Sequence, residues 1–148
     1  MRNQLICTLI VAACSFFAIG CDKDDDYDRQ NEETAKVSVL LQVGTWKITR
    51  YKDNGTDRTA LWSGYVFKFD SGNVLRATLG ATTSTGSWSI TADDDRTNDL
   101  DLNLFFANAT DLRSINEEWD IINYNENRIE VADDYGDVDE DLLVFEKQ

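Results

Sequence analysis

Histidine is absent from the 148-residue chain, and all three cysteines fall at or before Cys21. The first absence removes every mechanism that turns on an imidazole: His general bases, Ser-His and Cys-His nucleophile pairs, and His-containing zinc sites. The second leaves nothing after Cys21 to form an internal disulfide. Basic charge is scarce too, with 14 Lys and Arg against 28 Asp and Glu and a formal net charge of −14. Nucleic-acid binding depends on cations that neutralise phosphates, so nucleic acid is excluded as a partner. The same imbalance keeps the chain from lying flat on anionic lipid. Also missing are a Gly-rich phosphate loop, a Gly-x-Ser-x-Gly elbow and a cluster of metal ligands, and no cofactor is implied. Catalysis would have to rest on carboxylates, Lys, Tyr or Ser alone. Adjacent acids such as Glu117-Glu118 are too common in so acidic a chain to mark a glycosidase pair. The chain reads as non-catalytic.

What is present at the N-terminus is a cationic Arg2, an apolar stretch from Leu5 to Ile19, and then Ala18-Ile19-Gly20-Cys21. The uncharged stretch falls short of the roughly 20 apolar residues that a spanning helix needs, and an acidic run follows it at once. Residues 1–20 therefore read as a signal peptide. Ala18-Ile19-Gly20-Cys21 resembles the lipobox of bacterial lipoproteins, departing from it in having Ala18 where leucine is commonest. The resemblance implies that cleavage makes Cys21 the lipid-bearing N-terminus and holds the protein on a membrane. Ordinary secretory cleavage, the alternative, would leave Cys21 as an odd free thiol in an oxidising compartment.

Asp22-Lys23-Asp24-Asp25-Asp26 resembles the short acidic export signal of surface lipoproteins in some Gram-negative anaerobes, carried here by Lys23, Asp24, Asp25 and Asp26. It implies an outer-membrane lipoprotein facing the cell exterior. A merely solvated charge run would leave the protein on the periplasmic face. Tyr27 is the only apolar side chain between Asp22 and Glu33, so residues 21–34 are expected to form a flexible acidic tether.

Residues 35–148 suit one domain. Leu100, Leu102, Leu104 and Phe106 alternate with Asp99, Asp101, Asn103 and Phe105, the two-residue period of a half-buried strand. The pattern repeats at Trp46, Ile48 and Arg50; at Tyr65, Phe67 and Phe69; at Leu75, Ala77 and Leu79; at Trp88 and Ile90; at Trp119 and Ile121; and at Ile129 and Val131, and the run from Leu142 to Phe145 closes the chain. Turn residues separate these runs. Only residues 32–42 argue for a helix, with Val37, Leu40 and Leu41 at helical spacing before Gly44. Eight consecutive hairpin-linked strands remove their exposed edges by closing on themselves. The expected fold is all-β: an eight-stranded antiparallel up-and-down barrel with a short N-terminal helix. A β-sandwich of the same strands is the alternative.

Gly44-Thr45-Trp46-Lys47-Ile48, preceded by that helix, resembles the Gly-x-Trp signature that opens the first strand of lipocalin-like proteins. Gly86-Ser87-Trp88-Ser89-Ile90 repeats it, and Trp119 to Ile122 followed by Arg128 to Val131 resembles the penultimate hairpin of lipocalin-like domains on bacterial surface lipoproteins. The resemblance spans residues 36–147. It implies a barrel with a closed end where Trp46 packs, and an open mouth that receives a small apolar ligand. The chain departs from secreted lipocalins in being shorter and in having no helix after the last strand. Pocket candidates are Tyr65, Phe67, Phe69, Leu102, Leu104 and Trp119. A barrel this small is readily filled by its own side chains. Function would then pass to the outer surface or to residues 54–63, where Leu61 and Trp62 form an expected exposed contact. That describes a structural or protein-interaction lipoprotein, an accessory subunit or an inhibitor.

The acidic runs from Asp93 to Asp99 and from Asp133 to Asp141 lack the Gly and Glu spacing of an EF-hand loop and read as solvated turns, with no metal assigned. Asn54-Gly55 reads as a turn with positive φ after the first strand. The lipobox generates a direct prediction. Cys21→Ser should abolish labelling by a fatty-acid probe and release the protein from the envelope fraction, whereas retained lipid on the mutant would refute the assignment.

Overall fold

Most strands have one apolar face, and the chain satisfies those faces together by rolling into a ring; the last strand is apolar on both, with Leu142 and Val144 in a separate buried cluster beside Ala132. The computed structural model describes residues 23–92, 100–133, 136 and 139–148, with side chains from residue 28 onward. Helix α1 (Lys23–Gln42) comes first. The strands are β1 (Trp46–Asp53), β2 (Thr56–Asp57), β3 (Tyr65–Asp70), β4 (Val74–Leu79), β5 (Thr82–Ala92), β6 (Leu100–Phe105), β7 (Glu118–Asn125), β8 (Arg128–Asp133) and β9 (Asp141–Lys147). From β3 to β9 every strand pairs antiparallel with the next. β9 then pairs with β1, and β1 meets β3 through Trp46 and Phe67, which closes an eight-stranded up-and-down barrel. β2 is a two-residue appendage on β1, reached through a turn in which Asn54 has φ 50°. Closure settles the choice against the sandwich.

Two seams of the ring are thin, and side chains complete both. At the β1–β3 seam the Tyr51 N–H donates to Thr59 Oγ1 (2.9 Å) and the Arg58 N–H to the Tyr51 carbonyl (2.9 Å). At the β6–β7 seam Asn116 stands in for a strand. Its Oδ1 accepts from the Phe106 N–H (2.7 Å) and its Nδ2 donates to the Phe106 carbonyl (3.0 Å).

The inner rows match the alternation in the sequence, with Leu100, Leu102, Leu104 and Phe106 all buried. The exception is in β1. A bulge between Ile48 and Arg50 inserts one residue, so Arg50, expected in the inner row, is exposed and Tyr51 turns inward instead. Gly86 occupies an inner position where a Cβ would lie 2.3 Å from the Phe105 carbonyl oxygen and 2.7 Å from Phe106 Cδ1, so the strands cross too closely there for any side chain.

The end of the barrel where β1 begins is closed by α1. Val37 and Leu41 bury their side chains against the core. Gly44 ends the helix at φ 81°, a conformation that costs glycine little. The helix's last carbonyls need donors. Lys68 Nζ donates to the carbonyls of Gln42 (2.9 Å) and Gly44 (3.0 Å), placing a cation at the negative end of the helix dipole. Trp46 Nε1 donates to the Leu41 carbonyl (2.9 Å), and Lys147 Nζ sits 4.8 Å from the centroid of the Trp46 ring.

α1 is longer than expected. It starts at Lys23, where the sequence predicts a flexible tether across residues 21–34 and a helix only from residue 32. Acidic residues at a helix N-terminus are favoured by its dipole. The helix is also fastened to the barrel, since the Tyr124 hydroxyl of β7 donates to Glu33, and Lys36 bonds Glu33 (3.3 Å) while sitting over the Tyr124 ring. That hydrogen bond from Tyr124 is the main reason the Glu33 carboxyl titrates below its ordinary value.

The opposite end is capped as well. A 3-10 turn at Thr59–Trp62 drives Trp62 into the bore, and a 3-10 helix at Thr110–Ile115 inserts Leu112 and Ile115. The Tyr51 hydroxyl ties the two together by donating to the Ser114 carbonyl (2.9 Å). Trp62 was expected to be exposed beside Leu61, but it is 3% exposed while Leu61 is 61% exposed. The tight 3-10 turn points the two neighbours in opposite directions, and the bulkier ring takes the core.

Two predictions follow from this packing. Trp46→Ala or Trp88→Ala should each cost about 3–5 kcal/mol in chemical denaturation, as expected for emptying a fully packed aromatic site. Burial raises the pKa of the Tyr51 hydroxyl. The fold therefore prefers the neutral phenol, and the stability this contributes is present below about pH 10 and lost as pH rises through the raised value. Tyr51→Phe should cost about 1 kcal/mol at neutral pH and flatten that alkaline loss in melting curves.

Candidate functional site

Five of the six residues proposed from sequence as a ligand pocket are buried in the core, and only Tyr65 reaches the rim. Phe67, Phe69 and Leu102 are 0% exposed, Trp119 1% and Leu104 3%. Their rings pack on one another and on the last strand, with centroid distances of 5.4 Å for Phe67–Phe145, 5.6 Å for Phe69–Phe145 and 5.5 Å for Phe69–Trp88. Trp119 Nε1 donates to the Ile115 carbonyl (3.2 Å) and Trp88 Nε1 to the Asp70 carbonyl (3.1 Å), so both indoles are satisfied internally. These five side chains are core. An eight-stranded ring is wide enough either for its inward side chains to meet or for one small ligand, and here the side chains are large enough to fill it.

Tyr65, the sixth, is half-buried at the rim and walls a cleft of about 290 Å³ between the β4–β5 hairpin and the 3-10 helix at Thr110–Ile115. Ala77, Leu79, Thr82 and Ser84 line it on the strand side, facing Ala109 and Leu112. The Trp62 ring lies 5.7 Å from Tyr65, and its buried indole N–H has no partner among the described residues.

A larger groove of about 510 Å³ lies on the outer face, over β5 and β6. The alternation that turns Trp88 and Leu104 inward turns Ser87, Ser89, Asn103 and Phe105 outward. Ser87 stands opposite Phe105, Ser89 opposite Asn103, and Asn103 opposite Glu118. Past that point the regular ladder ends, the Leu104 N–H donates to the Glu117 carbonyl (3.0 Å), and Asn116 and Glu117 form the far wall of the groove. Phe105 is 56% exposed on this otherwise polar row. Neither Glu117 nor Glu118 has its carboxylate bonded to a described residue, and no cation lines the groove. Burial raises the Glu117 pKa first, and the carboxylates of Asp133, Asp141 and Glu118 add to the shift. The sequence carried one sign of this groove, the aromatic Phe105 on the polar side of the clearest strand.

Cys21 lies outside the described residues, as do residues 93–99 and 134, 135, 137 and 138 of the acidic runs. Lys23, Asp24, Asp25 and Asp26 fall in the first turns of α1. In the second acidic run, Glu140 pairs with Lys52 (3.2 Å), which is the main reason its carboxyl titrates low, and Asp141 accepts from the Asn54 N–H (2.5 Å). Both are engaged in holding the β1–β2 turn.

No family model matches the sequence, and no curated protein is similar to it. Among solved structures the chain is similar to the crystal structure of a DUF4847 family protein from Bacteroides vulgatus ATCC 8482, with a TM-score of 0.50 and 14% identity, over 76% of this chain and 99% of that one. A likeness at that identity speaks for the fold alone, and what it supports is the barrel.

Proposed function

We propose that the protein is a lipid-anchored lipoprotein of the bacterial outer membrane, displayed toward the cell exterior, that works without catalysis through its outer face and rim. The lipobox at Ala18 to Cys21 and the acidic run from Lys23 to Asp26 support the anchor and its orientation. The lipocalin-like resemblance of Gly44-Thr45-Trp46 contributes the scaffold in this reading and not a calyx. The observation that carries it is the filled interior: Phe67, Phe69, Leu102 and Trp119 meet inside the ring, and Trp62, Leu112 and Ile115 cap its far end. The anchor enters through α1, on the closed end. The opposite rim, where Leu61 is 61% and Leu79 43% exposed, is left for contact with a partner.

One observation favours a second reading. The rim cleft beside Tyr65, close to a Trp62 indole N–H that has no partner among the described residues, has room for a small apolar ligand, and its volume of about 290 Å³ lies just below the usual range for ligand pockets. Native mass spectrometry of the lipidated chain from its own host separates the two. The surface-acting reading expects the mass of the lipoprotein with no small-molecule adduct. An adduct that disappears in Ala109→Trp, which fills the cleft from its outer wall, would replace that reading with the carrier.

A further inference from the structure

We infer that the groove over β5 and β6 is a binding site for a neutral carbohydrate chain, with Phe105 as its stacking platform. The inference names a ligand class for one part of the outer face, and so rests on the surface-acting reading only for its biological setting.

The groove's chemistry narrows the ligand. Its outward side chains are hydroxyls (Ser87, Ser89), an amide (Asn103) and carboxylates (Glu117, Glu118) around one exposed phenyl ring. No lysine or arginine lines it, so phosphate, sulfate and uronate groups would meet only negative charge. A wholly apolar ligand would strip water from the carboxylates without bonding them. A polyhydroxylated neutral molecule fits every wall. Its hydroxyls donate to Glu117 and Glu118 and exchange hydrogen bonds with Ser87, Ser89 and Asn103. Its C–H face, slightly positive, lies on the negative face of the Phe105 ring.

The walls are also held in place, which lowers the cost of binding. Asn103 Nδ2 donates to Thr91 Oγ1 (2.8 Å), fixing the amide plane and leaving its oxygen free to accept. Asn116 is locked by its two bonds to the Phe106 backbone, so the far wall of the groove is held in place. Glu117, already raised by burial and by its acidic neighbours, gains from neutral donors that add no further charge. The volume of about 510 Å³ falls within the range of small-molecule clefts, and its open sides allow a chain to run through.

The test uses the mature chain and four neutral hexasaccharides, the α-1,4-, β-1,4- and β-1,3-linked glucans and the β-1,4-linked mannan, titrated by calorimetry. At least one should saturate with a dissociation constant of about 1 mM or tighter. Phe105→Ala should weaken that probe by about tenfold, while Phe105→Trp keeps or improves it and Glu118→Gln weakens it less. Phe105 is exposed, so circular dichroism should be unchanged in all three variants. Leu79→Ala at the rim should have no effect on the sugar. Failure of all four probes at about 10 mM, or binding that survives Phe105→Ala, overturns the proposal. So does a photo-crosslinker at position 105 that captures a protein while no sugar binds. Those outcomes leave the adduct measurement on the lipoprotein untouched, so the site and the wider reading fail separately.

Discussion

Trp46 is the largest side chain in the core with nothing left exposed, and its one polar atom has to find a partner where no water reaches. The partner is the Leu41 carbonyl, the loose end of α1. One hydrogen bond thus satisfies two buried groups that would each be costly alone, and in doing so it seats the helix on the end of the barrel. Lys68 and Lys147 come to the same place because the helix terminus offers carbonyls and the indole offers a π face. Strands β1, β3 and β9 meet there, so the closure of the ring and the closing of its end are one event in space. The single Trp46–Phe67 pairing would be a weak joint by itself. With the helix, two lysines and the final backbone bond from Gln148 N–H to the Thr45 carbonyl around it, it holds.

At the other end the same demand is met by different means. The strands splay where β1 leaves β3 and β6 leaves β7, and short 3-10 segments fill the gaps with Trp62, Leu112 and Ile115. A barrel of this size has little interior to spare, and seven ring contacts among Tyr51, Trp62, Tyr65, Phe67, Phe69, Trp88 and Phe145 use what there is. Packing of that density stabilises the fold at the expense of a cavity. The splay that needed filling on the inside leaves a groove on the outside, beside Phe105. The features available for binding are by-products of how the ring was closed.

Much of this was legible in the residues. Period-two alternation located seven of the eight barrel strands, because a strand half in a core and half in water has no other way to arrange its side chains, and the continuous apolar run from Leu142 to Phe145 located the eighth, which is buried on both faces. The Gly-x-Trp run marked the closed end, and Asn54-Gly55 marked its turn by tolerance of positive φ. The misreadings share a cause. Arg50 followed the alternation, but a bulge shifted the count by one. Trp62 sat in a polar loop and looked exposed, but it is drawn inward by aromatic neighbours far along the chain, Tyr51, Tyr65 and Phe67. The acidic stretch before Glu32 lacked an apolar face of its own and read as a tether, yet it continues a helix whose fastening, Tyr124, lies 91 residues away.

By itself, then, the sequence determined the all-β class, the number of barrel strands and, for most of them, which face is apolar. These follow from local spacing, and the histidine-free composition added its own exclusions. The tertiary structure alone decided whether the bore is open or filled, where the two ends are capped, and that Phe105, Asn103 and Glu118 share a groove. Those outcomes depend on volume and on distances between strands. Whether aromatic side chains line a cavity or fill it is fixed only when opposite walls of the ring come within reach of each other, and no local pattern encodes that separation.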